Sequence, residues 1–411
     1  MKMFLFIITF FYICHIRGNG FVSVFGDQIA SGRDDHISFN FQYGVSPYDT
    51  TTTTASTGAL LTINSMAVAS TGISPTGAAS LQSLRNLRYR PGHEGYVFFT
   101  AAFLNGGAAN STQWIGLFNS VDGMAVGFSG ATFSILYRKN SVDTIINQEN
   151  FNMDEIDGTG PSGFNINPTN LNIFRLSYGW LGAASLKFQV LSTTGQWITF
   201  HIIQLPNTIN TPSFTNPMLP MQMAATNTGN TTDLRIASGS WDSGAISNIR
   251  NRAGYRTFTI NSNPISIPNN TETHLITIHN KPTFNGVANK IELRFVGLGG
   301  GFLDSSKNLL LKYIKNATVT GTAFSDVNTS ASVVEFSTAG TFTIGSGTVV
   351  FVQLTNSGGN GSQMQLLSQS RAEIILLPGE TLTVTGLTIT GVMLAPPPKS
   401  AIAVLMWEER F

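Results

Sequence analysis

Apolar residues recur at every second position over short stretches of this chain, and turn residues separate the stretches. Met124, Val126 and Phe128 alternate with Ala125, Gly127 and Ser129, and Phe133, Ile135 and Tyr137 alternate with Thr132 and Ser134. A period of two belongs to a strand with one buried face. The string QWIGLFNSVDGMAVGFSGATFSILYR therefore reads as a three-stranded meander turned at Asp122-Gly123 and Ser129-Gly130. A second meander runs from Asn172 to Ile203, where Leu186, Phe188 and Val190 alternate with Lys187 and Gln189 before the turn Ser192-Thr193-Thr194-Gly195, and Trp197 to Ile203 runs back. Tyr96 to Leu104 is short and apolar enough for a buried strand, whereas Phe21 to about Ser83, with its run Thr50 to Thr54, reads as extended arm, loop and short strands.

The same grammar resumes further on. Ile291, Leu293 and Phe295 alternate with Glu292 and Arg294; Gly345-Ser346-Gly347 turns into Thr348 to Leu354; Pro378-Gly379 parts Ala372 to Leu377 from Thr381 to Thr385. Pro396 to Pro398 form a stiff connector that leaves Ala401 to Trp407 as a closing strand. Short strands, hairpin turns and no helical periodicity predict an all-β fold of two antiparallel β-sandwich, jelly-roll-like domains. The polar stretch around Gly244 to Gly254 marks the boundary, giving domains at 21–250 and 251–411.

Composition narrows the function classes. Only 11% of the 411 residues are charged, against roughly 25% in an ordinary soluble protein, so exposed helix surface is scarce. The formal net charge of +1 supplies no field to recruit nucleic acid. Residues 1–20 carry Lys2, an apolar run from Met3 to Cys14 and then Gly18-Asn19-Gly20, the pattern of a signal peptide cut before Phe21, with a hydrophobic arm as the alternative. That run is too short for a stable transmembrane anchor. Cys14 is the only cysteine, so a cleaved chain holds no disulfide and no cysteine-ligated metal. Six glycosylation sequons begin at Asn110, Asn230, Asn269, Asn316, Asn328 and Asn360, as an Asn-, Ser- and Thr-rich chain produces by chance.

Chemistry is thin. No G-x-S-x-G elbow or phosphate-binding loop occurs, and Gly297 to Gly301 break the dinucleotide spacing at Phe302, which points to a wide loop or bulge. His274 and His279 stand an odd number of residues apart on a strand and cannot share a metal, and His201 reads as a strand histidine with a backbone or water partner. Asp154, Glu155 and Asp157 ahead of Gly158 offer the oxygen ligands a calcium ion takes, the alternative being a solvated acidic loop; no other cofactor is expected. Arg88 and Arg90 alternate with Leu87 and Tyr89 as a basic edge that keeps a short strand from aggregating. Tryptophans default to core, except that Trp180 in YGWLG and Trp241 in GSWDSG stand in apparent loops where a ring can face solvent and stack on a sugar.

Four strings, LRYRPG at Leu87 to Gly92, LSYGWLGAASLKFQV at Leu176 to Val190, NTGNTTDLRIASGSW at Asn227 to Trp241 and the terminal LMWEERF, resemble those of paired β-sandwich virion structural proteins from giant double-stranded DNA viruses and tailed bacteriophages. The resemblance implies particle assembly or surface display, with capsid or surface proteins and further copies of the chain as partners and no catalytic residues. Its alternative is a secreted or surface lectin-like protein that grips glycans through Trp180, Trp241 and the calcium-supported loop. Neither reading is an enzyme.

Overall fold

The structure is a computed structural model, and it describes residues 33–179, 181–246, 255–303, 308–355, 363–366, 374–389 and 399–411. The leader, Cys14, Trp180, Asn360 and the proline connector lie outside the described residues. The chain divides into two compact units, Met1–Arg250 and Asn251–Phe411. Each is built from antiparallel sheets, so the fold is all-β as the alternation predicts.

The first unit holds β1 (Arg33–Asn40), β2 (Thr50–Ala55), β3 (Ala59–Ile63), β4 (Met66–Ser70), β5 (Ala78–Asn86), β6 (Glu94–Phe103), β7 (Ser111–Phe118), β8 (Gly123–Ser129), β9 (Thr132–Lys139) and β10 (Val142–Asn147). After one 3-10 turn at Gln148–Asn150 come β11 (Asn172–Tyr178), β12 (Leu186–Leu191), β13 (Trp197–Ile203), β14 (Pro220–Asn227), β15 (Arg235–Ser238) and β16 (Ser240–Ile246). A seven-stranded sheet runs β10-β9-β8-β7-β14-β5-β2. A nine-stranded sheet runs β13-β12-β11-β6-β15-β4-β3, with β16 pairing the first half of β6 and β1 pairing β16.

Alternate residues of the central strands of both sheets enter one core. Val97, Phe99, Phe174, Leu176, Phe188 and Val190 come from the nine-stranded sheet, and Ile115, Leu117, Val126, Ile135, Met221 and Met223 from the other. Phe103 bridges them, 5.3 Å from Phe128 and 6.1 Å from Phe133 between ring centroids, in edge-on geometry. Outside this core Trp114, which pairs with Gly127 across the sheet, is buried with Phe118, Ala125 and Leu136, so the meander buries both faces and not one.

Turn chemistry is local. Gly130 (φ 59°) closes β8 to β9 as its sequence signal predicts, while β9 to β10 turns on Asn140 and Ser141 (φ 50° and 64°), residues that tolerate the left-handed region at a two-residue hairpin. The β7–β8 turn is longer than Asp122-Gly123 implies: Asn119 Oδ1 accepts from the backbone N–H groups of Val121 (2.7 Å) and Asp122 (2.9 Å). The segment from 33 to 86 holds five strands and no long arm. Threonine is β-branched, and the run Thr50 to Thr54 forms one of the short strands expected there.

The second unit places its closing strand, Lys399–Arg410, between Leu293–Phe302 and the strands Tyr255–Asn261 and Ile265–Ile267. Its second sheet centres on Thr273–Asn280, Thr381–Ile389 and Asn308–Lys315. Tyr313 links the two, its hydroxyl donating to Gly299 O at 3.3 Å. Gly297 to Gly301 lie inside a strand with a bulge between Phe295 and Gly297, not in a loop. A Cβ on Gly300 would sit 2.4 Å from Ile402 O, so close strand packing explains the glycine there.

Candidate functional site

Register on the nine-stranded sheet brings the non-core positions of six strands into one cross-strand row. Thr199 of β13 opposes Gln189 of β12, Gln189 opposes Arg175 of β11, and Arg175 opposes Phe98 of β6. Phe98 opposes Asp242 of β16, which opposes Ser38 of β1. The neighbouring row reads Ile202, Lys187, Ser177, Tyr96, Gly244 and Asp35. Strands lie about 4.8 Å apart, so each row is a ribbon of side chains some 24 Å long on the face away from the core.

The first row is held in one orientation. Arg175 Nε donates to Gln189 Oε1 at 2.6 Å, and Gln189 Nε2 donates to Thr199 Oγ1 at 2.8 Å. With the amide fixed at both ends, the Thr199 hydroxyl keeps its own proton to give. Trp197, two residues before Thr199 on β13, is half-buried beside the row: its ring centroid lies 4.8 Å from the Arg175 guanidinium and 5.5 Å from the Phe98 ring, which it meets at 65°. Phe98 also lies 5.8 Å under Arg175. The two rings, set edge to face, thus form with the cation a compact three-membered cluster in which both contact the guanidinium, an attraction favoured by the ring quadrupoles.

Charge sits along the next row. Burial lowers the Lys187 ammonium below its ordinary range; Glu94 opposes that shift and Arg175 adds to it. Tyr96 is fully buried and donates its hydroxyl to Asp35 Oδ1. The face therefore grades from an aromatic, half-exposed end at Trp197 to a buried, charged end at Glu94 and Tyr96. Such a gradient suits a polar ligand with one apolar side, since a ring packs the apolar side while fixed donors meet the polar one.

The sequence-derived site residues fare differently. Trp241 faces the core and not solvent. It is 1% exposed on β16, its Nε1 donates to Ser238 Oγ at 3.0 Å, and its ring meets Phe39 at 5.5 Å and Phe41 at 5.2 Å. Sequence places it in a loop because glycine and serine flank it, yet Ser240 to Gly244 form strand and only Gly239 bends. Asp154, Glu155 and Asp157 do not gather into a calcium cage. Asp154 is buried, accepting from Ile156 N (2.8 Å) and Ser162 N (2.7 Å), while Asp157 is exposed and accepts from Thr159 N (2.8 Å) and Thr159 Oγ1 (2.7 Å). Those bonds hold the Asp157 carboxyl below its ordinary range. Glu155 engages Gln148 Nε2 through its backbone carbonyl at 2.9 Å. Among the described residues no three metal-ligating side chains converge.

Arg88 and Arg90 are not an edge strand. Their segment is irregular, with Arg90 Nη2 2.6 Å from Asp34 Oδ2 and Arg88 N donating to His36 Nδ1 at 3.0 Å. His201 accepts from Asn152 N at 3.2 Å, the backbone partner expected of a strand histidine. His274 and His279 keep separate partners, Thr277 Oγ1 at 2.8 Å and Glu335 Oε1 at 2.7 Å.

No family model matches the chain. No curated protein matches it either, so no relative lends support to the virion resemblance. Among solved structures, the chain is similar to cellulose-induced protein Cip1 at 12% identity and TM-score 0.33, covering 51% of this chain and 96% of that one. It is similar to a lectin from Bauhinia forficata, described in complex with GalNAc, at 15% identity and TM-score 0.33, covering 53% and 100%. A Shewanella oneidensis protein of unknown function aligns at 11% identity and TM-score 0.36, covering 55% and 92%. At such identities and scores these likenesses assign no activity to this chain.

Of the row, sequence reasoning sends Trp197 to the core by default and passes over Phe98, Arg175 and Thr199. The signal was present: Lys187 and Gln189 alternate with Leu186, Phe188 and Val190, which already puts them on the face opposite the core.

Among the described residues no helix is long and apolar enough to cross a membrane.

Proposed function

We propose that the first unit is a carbohydrate-recognition sandwich that binds without catalysis, and that its recognition surface is the outer face of the nine-stranded sheet around Trp197. The observation that carries this reading is a partly exposed indole held against a guanidinium that an oriented amide fixes in turn. A pyranose presents a C–H face that an indole can cover and hydroxyls that the Thr199 proton and the Arg175–Gln189 pair can meet. Neither element needs a metal.

A glycan array followed by calorimetry on its hits tests the proposal. Saturable binding is expected, unchanged by chelator, and Trp197→Ala should weaken it by about tenfold or more with the fold intact by circular dichroism. An array silent throughout, or affinity that survives Trp197→Ala, overturns the assignment.

A further inference from the structure

Among the described residues, the outer strands of the first unit carry guards except at β2 and β3. On β10, Asp143 receives two bonds from Arg138 of β9, at 2.6 and 2.9 Å, placing a carboxylate on the edge strand and its cation on the neighbour. On β13 the Asn152 side chain acts as a stopper: Ile202 N donates to its Oδ1 at 3.0 Å, and its Nδ2 donates to Ile202 O at 2.8 Å. β1 carries Asp34, Asp35 and His36. Charge and covering loops are how sheet edges avoid pairing with strangers.

β2 has none of these devices. It is outermost in the seven-stranded sheet among the described residues, holds no charge and no proline, and pairs with β5 without a bulge. Thr51 to Ala55 are all exposed. β3, outermost in the other sheet, is likewise uncharged and exposes Leu61 and Ile63. A cleft of about 530 Å3 lies along these edges, lined by Thr50, Thr51 and Thr52, by Leu60 and Leu84, and by Val45 and Pro47. Tyr43 and Tyr48, in the same loop as Val45 and Pro47, are 93% and 83% exposed.

The backbone shows which groups of β2 look outward. Leu84 N donates to Asp49 O at 2.8 Å, so position 49 faces β5, whereas Thr50 N turns away to Ser46 O at 3.0 Å. Antiparallel ladders alternate residue by residue, which aims the N–H and C=O of Thr52 and Thr54 away from β5.

We propose that β2 is a self-association edge, pairing antiparallel with β2 of a second copy of this chain about a twofold axis. An antiparallel strand pair is self-complementary under such an axis. An edge without charge selects no acidic or basic partner, and threonine facing threonine across strands is a favourable pair. The exposed tyrosines and the β3 apolar residues enlarge the contact beyond one strand. This inference stands apart from glycan binding, and either can fail alone.

Sedimentation equilibrium of the full chain across micromolar concentrations tests it. A reversible dimer is expected. Thr52→Pro removes an outward donor without breaking a bond to β5 and should weaken dimerisation by about tenfold or more. Thr52→Lys places a cation on the edge, leaves the ladder intact and should do the same, so it decides the matter if the proline variant misfolds. A monomer at every concentration, or a dimer indifferent to Thr52→Lys, overturns the proposal.

Discussion

Trp197 and Trp241 are the same residue with opposite fates, and strand parity separates them. Trp241 shares a face with the core-directed Phe99, its cross-strand partner, whereas Trp197 lies on the face that carries Arg175 and Thr199. Removing a large side chain from a filled core forfeits both transfer free energy and packing, so Trp241→Ala should cost about 3–5 kcal/mol in urea unfolding. Trp197→Ala should cost less, about 1–2 kcal/mol, because the ring is only partly buried and lies outside the core. Equal losses at the two positions would contradict the assigned faces. The acidic residues teach a related lesson. A carboxylate in a glycine-rich loop looks like a metal ligand in sequence, yet Asp154 and Asp157 spend their lone pairs on nearby backbone N–H groups.

At the scale of the element, buried carboxylates hold loops that strands alone leave open. Asp122 is 1% exposed and accepts from Asn140 N (3.2 Å), Thr215 N (3.0 Å) and Asn216 N (2.9 Å), tying three connections together at one end of the sandwich. Asp122→Ala leaves those donors without their acceptor and should cost roughly 3 kcal/mol, with faster hydrogen exchange at Asn140, Thr215 and Asn216 as the local readout. Unchanged exchange at these amides would show that water replaces the carboxylate without cost. Sequence displays Asp122 only as half of a turn, since its partners lie far along the chain. The same distance hides the candidate site. Alternation in β11 to β13 tells which residues leave the core, but β6 and β16, which complete the row with Phe98 and Asp242, arrive from remote segments. Period-two patterning fixes a face; it carries no information on which strand lies next door. For that reason the meanders are legible and the nine-stranded order is not.

Across the whole molecule, each unit buries a neutral histidine. Burial lowers His201 in the first unit and His274 in the second from the ordinary 6.5 to about 4. In the unfolded chain both protonate near pH 6.5, while in the folded chain they resist until about pH 4, so the unfolded state binds more protons between those values. Stability contributed by the neutral rings is therefore complete above pH 6.5 and is lost as pH falls through the window to about 4, by at most about 3 kcal/mol for each histidine. Calorimetry from pH 7 to pH 4 should show both units losing thermal stability on acidification. His274→Phe removes a ring whose Nδ1 is buried without a partner among the described residues, and Thr277 Oγ1 still reaches Thr383 Oγ1 at 2.9 Å. That variant should flatten the pH dependence of the second unit's transition and leave the first unit's slope in place, whatever it does to the absolute midpoint. A slope in the second unit that persists in His274→Phe would move the acid sensitivity to other groups, Glu409 excluded, because burial raises its carboxyl and stability from that source falls as pH rises.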